Sequence, residues 1–282
     1  MCSFASFVFD RDSVYWSKDG CFSDDPHTRI RKENNLGHET SCDPKRIRFA
    51  QAELVPPGSD LAAPLSKWKY QLDGPAPSWY DAERDEARVR AAMKRRMKEI
   101  VIPAKGSYTI TGGFRIVRSG SPTIVLSDGM LCTYDQSAPK ITQSSGYLYT
   151  YDQSAPKVTQ SGGYLYTYDQ SAPKVTQSDG YLHTYDQSAP KVTQSDGKLH
   201  TYSQSAPKIT QSGGKLRTFG QSAPRITQSG GELRTYDQSA PKITQSGGYL
   251  CTYDQSAPKI TQSGGWLYTY GQFAPKITMV TK

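Results

Sequence analysis

Residues 169–185 read DQSAPKVTQSDGYLHTY, and close copies of this phrase follow one another to the last residues of the chain. Proline marks the period: Pro139, Pro156, Pro173 and Pro190 begin a series that runs to Pro275 in steps of seventeen. Upstream, SPTIVLSDGMLCTY is a looser copy with Pro122, Ile124 and Gly129 in phase, and SYTITGGF places Gly112 and Phe114 at matching positions. The array therefore starts near Lys105 and holds about ten units, the first two degenerate, as the terminal units of repeat proteins often are.

The copies can be compared with one another. Leu148, Thr150 two places on, the aromatic at Tyr151 or Phe219, the Ile or Val after the basic residue, and the Ala-Pro pair keep their character throughout. Other positions drift: Tyr147 becomes Lys198, Glu232 or Trp266, and Tyr149 becomes His183, Arg217 or Cys251. A position that accepts Tyr, Lys, Glu and Trp faces water. YLYT thus alternates fixed and free positions at period two, which predicts a β-strand with Leu and Thr inward. KITQS, rich in β-branched residues, predicts a second strand. The intervening Ser145-Gly146, Gly162-Gly163 or Asp179-Gly180 supplies the positive φ of a tight turn, and QSAP makes the other corner.

Two architectures satisfy this pattern. A β-solenoid stacks one coil per unit at about 4.8 Å, so that ten coils span about 48 Å. An antiparallel meander makes each unit a hairpin, which the Asp-Gly turns favour. Like residues over like residues, Gln143 over Gln160 and Tyr151 over Tyr168, favour the solenoid. So does the thin core of one Leu and one Ile per unit. The basic row of Lys140 and Lys157 weighs against it through like-charge repulsion, which an Asp row (Asp152, Asp169) could offset. The expected fold is therefore mainly β: a solenoid over residues 105–282, with an α+β domain over residues 1–104 that caps it.

In that first domain, SFASFVF and SVYWSK alternate around Asp10-Arg11-Asp12 as a hairpin, and RIRFAQAELVPP and SKWKYQL read as further strands. From Ser78, placed as an N-cap with Asp81 three residues on, Ala82, Val89, Met93, Met97 and Ile100 approximate a helical stripe. The stretches SFASFVFDRDSVYWSK, IRKENNLG and ELVPPGSDLAAPLSKWKYQLD, with PSWYDAERDEARVRAA, resemble an uncharacterised N-terminal domain of hypothetical proteins of bacteriophages and their hosts. That domain is often followed by short Gly-, Thr- and Gln-rich repeats, and the resemblance implies no known activity. GYLYTYD is also similar, more weakly, to the YD repeats of large bacterial toxin shells, which are longer and less uniform.

The 282 residues are only 35% hydrophobic and carry a formal charge of +8. Residues 1–104 hold 17 Lys/Arg against 16 Asp/Glu, and the rest hold 17 against 10, so the excess sits in the repeats. The five cysteines are irregularly spaced, and Cys132 and Cys251 are exceptions at a drifting position, which points to reduced thiols and an intracellular or virion-associated protein. No signal peptide and no membrane span are read from the sequence. Cys21, His27, His38 and Cys42 could hold zinc, but their spacing is not of the knuckle type. No nucleophilic triad, P-loop or GxGxxG stands out, so neither enzymatic activity nor a cofactor is expected.

Three roles follow. The first is a structural or display rod that self-assembles end to end through the altered last unit, where Phe273, Met279 and Val280 replace or follow the usual residues. The second is a binding module for glycan or nucleic acid that uses an exposed Tyr/Lys ladder: Tyr147, Tyr149, Tyr164, Tyr166, Tyr181, Tyr249, Trp266 and Tyr268. The third is ice binding, from which the mixed Tyr, Lys, Arg and Glu face departs. The run Lys94-Arg95-Arg96 with Lys98 reads as a helix C-terminus, with nucleic-acid contact the alternative.

Overall fold

The computed structural model describes residues 5–17, 26–37, 43–59, 63–134, 138–151, 157–168, 174–186, 191–203, 207–220, 224–237, 239, 241–254, 256, 258–271 and 276–280. They form two compact units. One comprises residues 1–101 with 113–115; the other comprises 102–112 and 116–282. The boundary thus falls a few residues before the expected one.

The first unit holds a four-stranded antiparallel sheet in the order β2-β1-β3-β4, with β1 Ser6–Phe9, β2 Val14–Tyr15, β3 Ala50–Val55 and β4 Lys69–Asp73. The hairpin around Asp10 is present: Asp10 Oδ1 accepts from the backbone N–H groups of Asp12 and Ser13 at 2.9 and 2.7 Å. Phe7, Phe9, Trp68 and Met93 are fully buried. The helix expected from Ser78 starts later, as α2 Ala82–Ile100. Its N-cap is Asp81, whose carboxylate accepts from Arg84 N–H at 2.8 Å; the Ser78 backbone N–H donates to the Pro44 carbonyl at 2.7 Å, ahead of the helix. Val89, Met93 and Ile100 face the core as expected, whereas Ala82 is exposed. A second helix, α1 Pro26–Glu33, was not legible, since its only large apolar residue is Ile30.

Asp85 is fully buried in α2. Burial alone would raise its pKa, but hydrogen bonds from Arg84, the Asp81 N–H and Arg88 outweigh it and hold the carboxyl below its usual range. Arg96, expected in a basic run at the helix C-terminus, is buried and donates to the Ser17 carbonyl, while Lys94, Arg95 and Lys98 stay exposed. Burial pushes the Arg96 pKa down to about 10.

The second unit is a parallel β-solenoid, not a meander. Each KITQ strand pairs in parallel with the KITQ strand seventeen residues on, as in Lys174↔Lys191 and Gln177↔Gln194. Each YLYT strand does the same, as in Tyr164↔Tyr181 and Thr167↔Thr184. The result is two stacks of strands around one core. Eight turns, from Lys140–Gln143 with Tyr147–Thr150 to Lys259–Gln262 with Trp266–Tyr270, carry both strands. Ahead of them, β5 Ser107–Val117 and β6 Thr123–Thr133 run through the corner as long continuous strands, so the regular count is about eight rather than ten.

One Leu and one Ile or Val per turn fill the core: Leu148, Leu165 and Leu182 are 0% exposed, and Ile141, Val158 and Val175 are 2% exposed. Thr150 and its equivalents join them, as period two demands. The turn glycine is required twice over. Gly163 has φ 75°, and a Cβ there would lie 2.6 Å from the Gly146 carbonyl oxygen of the preceding turn. After the second strand the chain enters the left-handed region again: Asp186 (φ 52°), Ser203 (47°), Gly220 (57°) and Asp237 (49°) share that conformation. Asp, Ser and Gly interchange there because each tolerates or avoids the Cβ penalty. Asp152 and Asp169 lie outside the described residues; among the described ones, Asp186, Asp237 and Asp254 form no ion pair with the basic row and hold left-handed backbone.

The invariant Gln is the residue whose place the sequence reading left open. Gln143, Gln160 and Gln177 are 0% exposed, pointing inward with Ile141 and its equivalents. Each Nε2 donates to the carbonyl of its own turn glycine and to a carbonyl of the next coil, as Gln160 does to Gly163 and Tyr181, both at 3.1 Å.

Candidate functional site

The outward side chains of the YLYTY strands form three columns. The column nearest the corner after the strand is aromatic at every turn: Tyr134, Tyr151, Tyr168, Tyr185, Tyr202, Phe219, Tyr236, Tyr253 and Tyr270. Successive centroids are 4.8–5.1 Å apart with interplanar angles of 2–8°, so nine rings make one continuous stack. These rings were read as fixed by structure, and were not among the expected ligand residues; their invariance was the available signal.

The expected ligand residues occupy the other two columns. Tyr147, Tyr164 and Tyr181 stack at 5.1 and 4.9 Å, and Tyr149 and Tyr166 at 5.0 Å. Lateral contacts tie the columns together: Tyr149 lies 6.3 Å from Tyr151 and Tyr166 6.5 Å from Tyr168. Tyr149, expected to face water, is thereby half-buried. Cys132 and Cys251, in the same column, are buried and outside any disulfide.

Tyr249, Trp266 and Tyr268 do not join this patch. Three turns carrying Lys198, Lys215 and Glu232 intervene, with His200, Arg217 and Arg234 beside them. Glu232 pairs with Arg234 at 2.5 Å and Lys215 at 3.9 Å, and Lys198 Nζ sits 4.8 Å over the Tyr181 ring. Trp266 is 69% exposed, as is 66% of Met279 and 47% of Val280. Phe273 lies outside the described residues.

The geometry defines what this surface can offer. Ring faces within a stack cover one another. Inserting a base between two rings needs about twice the 3.4 Å base step, more than the spacing allows. Hydroxyls and ring edges remain for contact. Burial first, and neighbouring tyrosines second, hold the phenols of Tyr166 and Tyr185 above their usual pKa and push Tyr168 up to about 12, so the hydroxyls stay protonated at neutral pH.

The basic row does not lie beside these tyrosines, as the Tyr/Lys ladder supposed. Lys140, Lys157 and their equivalents project from the KITQ strands, the other stack. Of the candidate zinc set, His27 is buried in α1, its Nδ1 3.3 Å from Asp73 and its Nε2 3.5 Å from the Ala52 carbonyl oxygen; Cys21, His38 and Cys42 lie outside the described residues. Among the described residues no helix is long and apolar enough to cross a membrane.

Comparison with known families, with curated proteins and with solved structures finds no match.

Proposed function

We propose that this chain is a non-enzymatic structural repeat protein whose solenoid acts as a stiff assembly unit. The observation that carries this reading is the in-register stacking of like residues through eight turns, bound together by the continuous aromatic stack. Such a surface repeats identical groups along a line, whereas catalysis needs different groups converging on one point.

Self-association at the last coil completes the proposal. Strands Trp266–Tyr270 and Lys276–Met279 each have a parallel neighbour on one side only among the described residues. Trp266, Tyr268, Tyr270, Ile277, Met279 and Val280 are exposed around that edge. Unpaired strand edges with apolar surroundings are sticky. A second copy related by a two-fold axis covers both edges at once.

Light scattering at micromolar concentration tests this. The intact protein is expected to be a dimer, and Trp266→Ser with Met279→Gln is expected to return it to a monomer with an unchanged circular dichroism spectrum. A monomeric intact protein contradicts the assembly role.

A further inference from the structure

The outer face of the KITQ stack carries two columns of its own. One is cationic at nine successive strands, from Lys140 to Lys276, with Arg225 the single guanidinium. The other, two residues along each strand, is threonine at the same nine strands, from Thr142 to Thr278. Both are exposed at every turn. Register keeps each column straight, with Lys157 over Lys140 and Thr159 over Thr142. An open groove of about 450 Å³ runs along them, past Lys140, Thr142, Lys157, Thr159, Lys174 and Thr176.

Two features make this face more than a solvated surface. First, the described ion pairs of the solenoid both involve Glu232 on the other stack, so among the described residues none neutralises this cationic column. Its like charges repel one coil apart, a cost that a bound polyanion removes. Second, outward positions in the same units have diverged: the Tyr147 column reads Tyr, Lys, Glu and Trp. Outward Lys/Arg and Thr have not. Strand propensity accounts for threonine, but no described contact demands a cation.

We propose that the Lys/Thr face binds a linear polyuronate, extended along the solenoid axis with one sugar per coil. The step along the array is about 4.8 Å, comparable to the advance of one pyranose residue along an extended chain. Successive sugars of an extended chain face opposite ways, so every second carboxylate, about 9.6 Å or two coils on, meets a Lys, and a sugar hydroxyl meets the neighbouring Thr Oγ. Single exposed ion pairs contribute little; affinity comes from the number engaged on one chain.

Other polyanions fit less well. The cationic column spans eight steps, about 38 Å. A duplex strand returns to the same side once per turn, about every 34 Å, so a straight column meets only a few phosphates. Single-stranded nucleic acid is held by aromatic platforms, and this face offers only Lys, Arg and Thr outward. An extended acidic peptide places same-face carboxylates about 6.8 Å apart, out of step with the coils.

Titration calorimetry with purified oligouronates of increasing length tests the proposal. Affinity is expected to rise with each added sugar up to eight or nine and then level off. Removing one seventeen-residue unit is expected to move that plateau down by one sugar. Lys174→Ser with Lys191→Ser is expected to weaken binding at least tenfold while leaving the melting temperature nearly unchanged. Methyl-esterified oligomers of the same length, which lack the charge, are expected not to bind. Absence of binding, a plateau at two or three sugars, or equal or tighter binding of DNA or polyglutamate at the same ionic strength overturns the assignment.

Discussion

Gln177 Nε2 lies 3.2 Å from the carbonyl oxygen of Lys198, in the following coil, while it also holds the Gly180 carbonyl of its own turn at 2.9 Å. One amide thus closes a turn and clamps two coils together from inside the core. The Leu and Ile ladders supply apolar burial but no direction along the axis. The Gln column supplies it.

Replacing Gln177 with Ala is therefore expected to cost about 1–3 kcal/mol, from two lost hydrogen bonds and a small cavity. Gln177→Glu is expected to cost more, because a fully buried carboxylate cannot donate to either carbonyl. Urea unfolding of the two variants measures both. A Gln177→Ala protein as stable as the parent contradicts the clamp.

The two residues of the turn differ sharply in tolerance. Gly180 has φ 90°, and a Cβ there would meet the Gly163 carbonyl oxygen at 2.7 Å, so Gly180→Ala is expected to lower stability by about 1–3 kcal/mol or more. Asp179 stands where other units carry Gly162 or Gly213, and its carboxylate accepts from the adjacent Gly180 N–H, at 2.7 Å. Asp179→Gly is expected to change stability by less than about 1 kcal/mol. Thermal melting of both variants distinguishes them, and equal losses contradict this reading of the turn.

Comparison among the copies made the solenoid legible, because Leu148 and Thr150 stayed fixed while Tyr147 and Tyr149 drifted. Alternation carried that reading correctly into the structure. The same alternation places Gln143 inward beside Ile141, but polarity argues for the surface, and only the two carbonyls it reaches explain its burial. For Asp186 and Asp237 charge suggests pairing with lysine, whereas their left-handed backbone gives a reason for Asp at those two positions. Helix α1 has no apolar stripe to find, since His27 and Arg31 share its buried side with Ile30. Of the expected ligand residues, Tyr147, Tyr164 and Tyr181 do share a column. Their separation from the basic row follows from the two stacks, which no spacing in the sequence reveals by itself.

His183 and His200 introduce a pH dependence. Burial pushes the His200 pKa down to about 4, with repulsion from His183, Arg217 and Lys198 adding to it; burial also lowers that of His183. The folded chain thus disfavours protonation relative to the unfolded chain, whose histidines titrate near 6.5. Their contribution is fully present above pH 6.5 and is lost as pH falls through the folded pKa, for His200 near 4. Substituting Tyr at both positions, as in Tyr149 and Tyr166 of the same column, removes this dependence. The melting temperature of the parent is expected to fall more steeply than that of His183→Tyr/His200→Tyr between pH 6.5 and 4. Parallel curves contradict the linkage.

Coil-by-coil stacking is the central claim, and small-angle scattering on shortened arrays tests it most directly. Excising residues 190–240, three whole units, is expected to leave a folded solenoid about 14 Å shorter. Excising residues 191–198, less than half a unit, is expected to destroy the register and the fold. An array that tolerates both excisions equally, or that keeps its length after losing three units, contradicts the solenoid account.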